Sequence, residues 1–201
     1  MARAFDFYFD FTSPYGYIAS TAIDRIAAKH GAEARWRIFL VTAAYKQFEA
    51  TNPLTHKAKA AYFRMDIPRT AAHFGAPFAF PKTWPENLIA PARAFSWLED
   101  RDPARAKRFA KAALAAYWAE GRPIASPDVT ADIAAAAGED RASVRAALDD
   151  EAVKQGLVTK VNAALAAGIF GSPQAVLDGA IFWGTDRLDQ LDAALARAAK
   201  T

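Results

Sequence analysis

The chain has 201 residues, 53% of them hydrophobic, and a formal net charge of +3. This length can bury one sizeable core or one domain with a large insertion, and so small a charge does not point to nucleic acid as a partner. Because cysteine is absent, the protein itself supplies no disulfide, no thiolate metal ligand and no thiol nucleophile. The three histidines are scattered without ligand spacing, so we expect no metal site.

The N-terminal residues favour a cytoplasmic protein. Residues 1–5 lead directly into a strand pattern and lack the apolar core of a secretory signal. No stretch of the sequence is apolar over the length that a membrane span needs. We therefore expect neither a membrane partner nor export.

Residues 3–41 have the pattern of a strand, a helix and a second strand at 34–41. Alternation of apolar and polar residues predicts the first strand, with one face formed by Phe5, Phe7, Phe9 and Phe11. Ser13 is a good helix N-cap and Pro14 suits the first helical position, so the pattern changes to a helix there. A helix between two strands indicates a βαβ unit with a right-handed crossover.

The hydroxyl of Ser13 lies at the junction of the predicted strand and helix. The first turn of a helix has free N–H groups and the positive end of the helix dipole, which together favour a bound anion. Capping is the more common role of serine at such a position, and these residues alone do not decide between the two roles.

Residues 42–168 are predicted to be almost entirely helical, with a break or kink at Pro68. The candidate helices cover residues 55–74, 88–100, 103–119, 127–137, 141–150 and 151–167. Within residues 42–95 there are seven Lys or Arg and three Asp or Glu. This local excess is consistent with an anionic small-molecule ligand, and equally with an ordinary solvated helix face.

Residues 169–201 return to a strand pattern. Asp178-Gly179 separates two short apolar runs at 173–177 and 180–183 and predicts a hairpin, and a last helix follows from Thr185. Neither end of the chain can form a stable sheet alone, so we expect one sheet built from both ends. The predicted fold is therefore α/β and thioredoxin-like (βαβ–ββα), with residues 1–41 and 169–201 in a discontinuous domain and residues 42–168 in an all-helical insertion.

The chain contains three segments in a distinctive order: 7–15 (FYFDFTSPY), 170–173 (FGSP) and 182–188 (FWGTDRL). Together they resemble the 2-hydroxychromene-2-carboxylate isomerases, relatives of the kappa-class glutathione transferases in the DsbA-like branch of thioredoxin folds. The resemblance extends from about residue 4 to residue 197 and includes the helical insertion.

The resemblance implies that glutathione is the cofactor. Ser13 matches the catalytic serine, whose hydroxyl hydrogen-bonds the sulfur of glutathione. The other implied contacts to glutathione come from Asn52, Lys59, Ser172, Pro173, Thr185, Asp186 and Arg187, with a cis bond expected before Pro173. From the residues alone, Thr185-Asp186 also suits a plain helix cap and Pro173 a strand start.

The resemblance also implies a substrate-binding segment. Lys59, together with Lys46 or Arg64, would hold a substrate carboxylate, and aromatic side chains would form an apolar wall: Tyr15, Tyr62 and Trp84. Ordinary packing explains each aromatic residue equally well. The segment departs from the family's pattern, because Tyr45 occupies the place of a lysine in the loop after the second strand, and Pro53 stands where the family often has an arginine.

These observations leave three hypotheses for the function. The first is a cytoplasmic, homodimeric, glutathione-dependent isomerase of 2-hydroxychromene-2-carboxylate or a related intermediate of aromatic degradation, acting by reversible thiolate addition. The second is a kappa-like glutathione transferase that conjugates an electrophile. The third is a noncatalytic thioredoxin-fold module that binds glutathione or a peptide.

Overall fold

The computed structural model describes residues 3–198 and contains one mixed sheet in that range. The strands are β1 (Ala4–Phe9), β2 (Glu33–Ile38), β3 (Gln174–Leu177) and β4 (Ala180–Trp183). Their spatial order is β2-β1-β3-β4, with β1 parallel to β2, and with β3 antiparallel to both β1 and β4. The sheet is therefore built from both ends of the chain, as expected.

The helices surround this sheet, and most of them lie between β2 and β3 in the sequence. They are α1 (Pro14–Lys29), α2 (Val41–Gln47), α3 (Lys57–Phe74), α4 (Ile89–Glu99), α5 (Pro103–Trp118), α6 (Pro127–Ala136), α7 (Arg141–Ala147), α8 (Glu151–Ala166) and α9 (Leu188–Ala198). Short 3-10 helices cover Pro53–Thr55 and Thr185–Arg187. The predicted thioredoxin-like α/β fold with a helical insertion is confirmed, while its division into two domains stays a prediction.

The alternating phenylalanines of β1 join the sheet to the helical segment. Phe9 is fully buried and packs edge-to-face against Trp36 of β2 (centroids 5.2 Å apart) and Phe95 of α4 (5.0 Å). Such aromatic pairs add about 0.5–1.5 kcal/mol each beyond their buried area. At the far end of α5, the indole N–H of Trp118 donates to the carbonyl of Phe11 (2.9 Å) and fixes the chain just before α1.

The second strand is shorter than predicted, and a helix replaces the expected loop after it. β2 ends at Ile38, and Val41 is the first residue of α2, which also contains Tyr45 and Lys46. The N-cap residue Leu40 makes no side-chain cap; instead, the carboxylate of Asp10 accepts a hydrogen bond from the Val41 N–H (2.7 Å). Because this cap comes from a residue 31 positions away in the sequence, no local signal predicts the start of α2.

Pro68 does not break the helix, contrary to part of the prediction. It lies inside the continuous α3 and is exposed, as is Arg64 four residues earlier. The carbonyl of Arg64, which loses its helical partner, can therefore be hydrated. Between residues 3 and 198, no helix is long and apolar enough to cross a membrane.

Candidate active site

A cavity of about 650 Å³ opens where the first helix meets the end of the sheet. One side, the thioredoxin wall, consists of residues 12–15, 170–173 and 183–186. The other side, the helical wall, consists of residues 52–54 and 84–86, part of α2, and five residues of α3: Tyr62, Phe63, Asp66, Ile67 and Thr70. The volume is within the usual range for a small-molecule site.

Ser13 lies at the base of the thioredoxin wall and is only 8% exposed. Its hydroxyl accepts a hydrogen bond from the Gly16 N–H (3.0 Å) and donates one to the carbonyl of Ser172 (2.9 Å). Ser13 is therefore a true N-cap, and its donor is aimed across the cavity base at a neighbouring loop. The N–H of Tyr15 belongs to the same first turn and has no acceptor within its own helix. An anion here would gain one hydroxyl donor, one backbone donor and the helix dipole.

Asp10 holds together the three segments that form this base. Its carboxylate accepts hydrogen bonds from the N–H groups of Thr12 (2.8 Å) and Val41 (2.7 Å), and its own N–H donates to the hydroxyl of Ser172 (2.9 Å). The side chain is 2% exposed, and this burial raises the pKa of Asp10 despite the two backbone donors. Asp10 thus positions the starts of α1 and α2 relative to the loop before β3.

The loop before β3 is shaped by close packing. The bond between Ser172 and Pro173 is cis, as the resemblance implies. A Cβ at Gly171 would collide with the indole of Trp183, and a Cβ at Gly16 would lie 2.6 Å from the Ser172 hydroxyl. Only glycine allows these segments to approach so closely.

The 3-10 helix after β4 is tied to the start of α1. The hydroxyl of Thr185 donates to the carbonyl of Tyr15 (2.9 Å), and Thr185 is buried. The hydroxyl proton of Thr185 is therefore already used in a hydrogen bond within the protein. The groups of this segment that remain for a ligand are its backbone and the exposed carboxylate of Asp186. Asp186 itself lies 3.3 Å from the guanidinium of Arg187.

A carboxylate in the helical wall binds two cavity tyrosines. Asp66 accepts hydrogen bonds from the hydroxyls of Tyr15 (2.5 Å) and Tyr62 (3.0 Å) and forms an ion pair with Arg69. Arg69 also lies over the ring of Tyr62 and donates to its hydroxyl (3.1 Å). The network fixes the Tyr15 ring at the cavity wall, 5.8 Å from the ring of Phe63.

These contacts shift two pKa values in opposite directions. Burial, together with the hydrogen bond to Asp66, raises the pKa of Tyr15, so its hydroxyl stays protonated. Burial opposes ionisation of Asp66, but the hydrogen bonds from Tyr15, Arg69 and Tyr62 outweigh it and lower the pKa of Asp66. Tyr15 is therefore a neutral side chain held in place at the cavity wall, and its hydroxyl already donates its hydrogen bond to Asp66.

Most of the predicted site residues line this cavity, and three do not. Those in the lining are Ser13, Tyr15, Asn52, Tyr62, Trp84, Ser172, Pro173, Thr185 and Asp186. Lys46, Lys59 and Arg187 are exposed and are absent from the lining among residues 3–198. Their contacts to a ligand, like the functional roles of the other residues, stay predictions.

Three acidic residues of the site were missed by the sequence analysis: Asp10, Asp66 and Glu86. Asp10 stands between Phe9 and Phe11, and a carboxylate inside a buried aromatic run is a signal that could have been used. Asp66 and Glu86 had no comparable signal, because only the packing of α3 and of the segment around Glu86 turns them towards the cavity.

Comparison with known proteins gives a consistent set of relatives. The family model described as a DSBA-like thioredoxin domain matches residues 4–196. A 2-hydroxychromene-2-carboxylate isomerase of Pseudomonas putida is 27% identical over 194 residues, which cover 96% of this chain and 94% of the relative. Glutathione s-transferase kappa 2 of Caenorhabditis elegans is 26% identical over 207 residues, covering 96% and 92%.

A solved structure resembles the whole chain. It is that of a 2-hydroxychromene-2-carboxylate isomerase, with a TM-score of 0.87 and 25% sequence identity. The match covers 98% of this chain and 96% of that one. The similarity therefore includes the helical insertion as well as the sheet.

Proposed function

The chain belongs to the family of DsbA-like thioredoxin domains, and on that premise we propose that it is a glutathione-dependent isomerase of a conjugated aromatic intermediate, of the hydroxychromene type. The observation that carries this proposal is the Ser13 hydroxyl at the N-terminus of α1, at the base of a cavity of about 650 Å³. The likeness to curated isomerases along nearly the whole chain supports the choice of reaction.

The residues of the thioredoxin wall fit a thiol tripeptide. Ser13 is buried at the base of the cavity, where Gly16 and Gly171 allow close packing, whereas the carboxylate of Asp186 in the same wall is exposed. Ser13 and the first-turn N–H of Tyr15 would hold the sulfur, the backbone beside Pro173 would hold the cysteinyl unit, and Asp186 would accept the γ-glutamyl ammonium.

The amide of Asn52 can serve the same ligand. Its carbonyl oxygen already caps the N–H of Leu54 (2.9 Å), so its NH₂ group remains to donate to a carboxylate. Asn52 would therefore bind one acidic end of the tripeptide.

Glutathione, if bound here, would supply a thiol that adds reversibly to a conjugated carbonyl compound, so that a double bond of the substrate becomes rotatable and the thiol is recovered. Ser13 stabilises the ionised sulfur by exchanging its hydrogen bond to the Ser172 carbonyl for one to the anion. Tenfold more thiolate needs only about 1.4 kcal/mol of differential stabilisation, which one hydroxyl donor and one helix dipole can supply. Tyr15, Phe63 and Trp84 orient a flat ring against the helical wall.

Calorimetry and a coupled assay test the proposal. We expect glutathione to bind, and a hydroxychromene substrate to isomerise with the glutathione concentration unchanged at the end of the reaction. No heat of binding at millimolar glutathione would remove the proposal. Accumulation of a stable conjugate with loss of glutathione would instead favour the second candidate, a kappa-like transferase, which the similarity to a kappa-class enzyme supports.

Two further features belong to the same proposal. The resemblance to these enzymes implies a homodimer, and the N-terminal residues favour a cytoplasmic location. Size-exclusion chromatography with light scattering tests the oligomeric state, and cell fractionation tests the location.

A further inference from the structure

The walls of the cavity carry carboxyl groups where an anionic substrate would need cations. In the part of the chain that the structure describes, the charged side chains of the cavity lining are Asp66, Glu86 and Asp186, with no lysine or arginine. A second lobe of about 360 Å³ adjoins the cavity and shares four lining residues with it: Thr12, Thr42, Pro85 and Glu86. This lobe adds the buried carboxyl group of Asp10 and, within the described residues, no lysine or arginine.

Glu86 differs from the other two cavity carboxylates in its partners. Asp66 is compensated by Arg69, and Asp186 lies beside Arg187. Glu86 accepts a hydrogen bond from the hydroxyl of Thr83 (3.0 Å), and no ion pair to it occurs among residues 3–198. It therefore brings an uncompensated negative charge to the boundary between the two lobes, where a substrate beside Trp84 would lie.

The cations that α2 and α3 bring to this region are exposed or engaged with other side chains. Lys46 and Lys59 are exposed and lie outside the lining. Arg64 packs over the ring of Trp84, 5.5 Å from its centroid, and Arg69 is bound to Asp66 and Tyr62. A carboxylate placed against the helical wall would therefore be repelled by Glu86 without a compensating partner in the cavity.

We propose that the substrate of this site is an uncharged aromatic α,β-unsaturated aldehyde or ketone, and that Glu86 excludes electrophiles that carry a carboxylate. This inference rests on the proposed glutathione-dependent reaction. Glu86 also accepts hydrogen bonds, so a phenolic hydroxyl of the uncharged substrate would find its acceptor there. The aromatic side chains of the helical wall contribute the apolar contacts.

A matched pair of substrates tests the inference. The two are 2-hydroxychromene-2-carboxylate and 2-hydroxychromene, in which hydrogen replaces the carboxylate, each assayed with saturating glutathione. We expect kcat/KM to favour the uncharged compound by at least tenfold. Glu86→Gln should reduce that preference at least fivefold, mainly by lowering KM for the carboxylate, with the affinity for glutathione unchanged.

The matched control is Glu33→Gln, at the start of β2 and so at the other end of that strand from the site. This variant should keep the wild-type preference. Equal or better turnover of the carboxylate by the wild-type protein would overturn the inference, and a preference that Glu86→Gln does not change would overturn the role of Glu86.

A binding measurement separates this inference from the proposed reaction. The unreactive pair 3-phenylpropanamide and 3-phenylpropanoate is titrated calorimetrically into the protein with glutathione. At least tenfold tighter binding of the amide supports charge selection, even if neither chromene is turned over and the isomerase proposal fails. Equal or tighter binding of the propanoate overturns charge selection, whatever the activity.

Discussion

The two walls of the cavity are built in different ways. In the thioredoxin wall, the hydroxyls of Ser13, Ser172 and Thr185 are each hydrogen-bonded to backbone groups, for Ser172 the N–H of Asp10 just before the wall. In the helical wall, the polar groups sit on α3 and on the segment around Glu86; Tyr62 is exposed, while Asp66 and Glu86 are half-buried.

This difference separates a part of the site that is fixed by the fold from a part that is free to vary. The thioredoxin wall depends on backbone approach and small residues, so most substitutions there disturb the base of the cavity. The helical wall depends on which side chains α3 presents, so its charge can change without altering the fold. We therefore expect changes in the first wall to affect the chemistry and changes in the second to affect stability or selectivity.

The sharpest test of the thioredoxin wall is Ser13→Ala. The variant removes the donor to the sulfur, so turnover should fall on the order of a hundredfold and the thiol pKa of bound glutathione should rise. Stability should decrease by about 1 kcal/mol because the cap of α1 is also lost. Ultraviolet titration of the thiolate and steady-state kinetics measure both effects.

Ser20→Ala is the matched control, because this serine is also buried in α1 and donates to the carbonyl of Tyr17 (2.6 Å). It should leave the thiol pKa unchanged. An unaltered pH–rate profile in Ser13→Ala would contradict a role of Ser13 in forming the thiolate.

Gly16→Ala tests the close packing of the same wall. The added methyl group would press on the hydroxyl of Ser172 and on Ser13, so we expect turnover to fall about tenfold although alanine favours the helix. Gly156→Ala in α8 is the control, since nothing lies within 4 Å of the new Cβ there. The control should gain about 0.5–1 kcal/mol of stability, measured by urea unfolding. Full activity of Gly16→Ala would show that Ser13 and Ser172 can shift at the base of the cavity without loss of turnover.

Asp66→Asn tests the helical wall. The lowered pKa of Asp66 means that its contribution to stability is present above its ordinary pKa near ~4 and is lost as the pH falls through the lowered value. The variant should therefore lose about 1–2 kcal/mol of unfolding free energy at pH 7. Its stability should also fall less steeply than that of the wild-type protein as the pH becomes acidic. Denaturant unfolding over a pH series measures this.

Tyr62→Phe removes one of the hydrogen bonds to Asp66 and should lower the free energy of unfolding at pH 7 by less than Asp66→Asn does. Superimposable curves for the wild-type protein and Asp66→Asn would show that the network contributes nothing measurable to folding.

The smallest effect is expected at Lys46. Its side chain is exposed on α2 and lies outside the cavity lining, so Lys46→Ala should change KM for any substrate by less than about twofold. If KM rose tenfold or more for carboxylate substrates alone, Lys46 would contact the substrate carboxylate after all. The contrast between the two walls would then be weaker.

Local patterns determined most of the fold and the base of the site. The alternating phenylalanines of β1, the Ser13-Pro14 helix start and the Asp178-Gly179 turn each act over a few residues, so their signals are legible in the sequence. The same locality placed Ser13 at the start of α1, directly after a strand, where a thioredoxin fold keeps its reactive group.

Only the tertiary structure decided the charge of the cavity. The excess of Lys and Arg between residues 42 and 95 favoured an anionic ligand, yet Lys46 and Lys59 face solvent while Asp66 and Glu86 line the cavity. A net charge records which residues a segment contains, but not which of them a helix turns inward. That choice depends on contacts between distant segments, such as the bond from Tyr15 to Asp66 and the cap from Asp10 to Val41, and no local pattern encodes them.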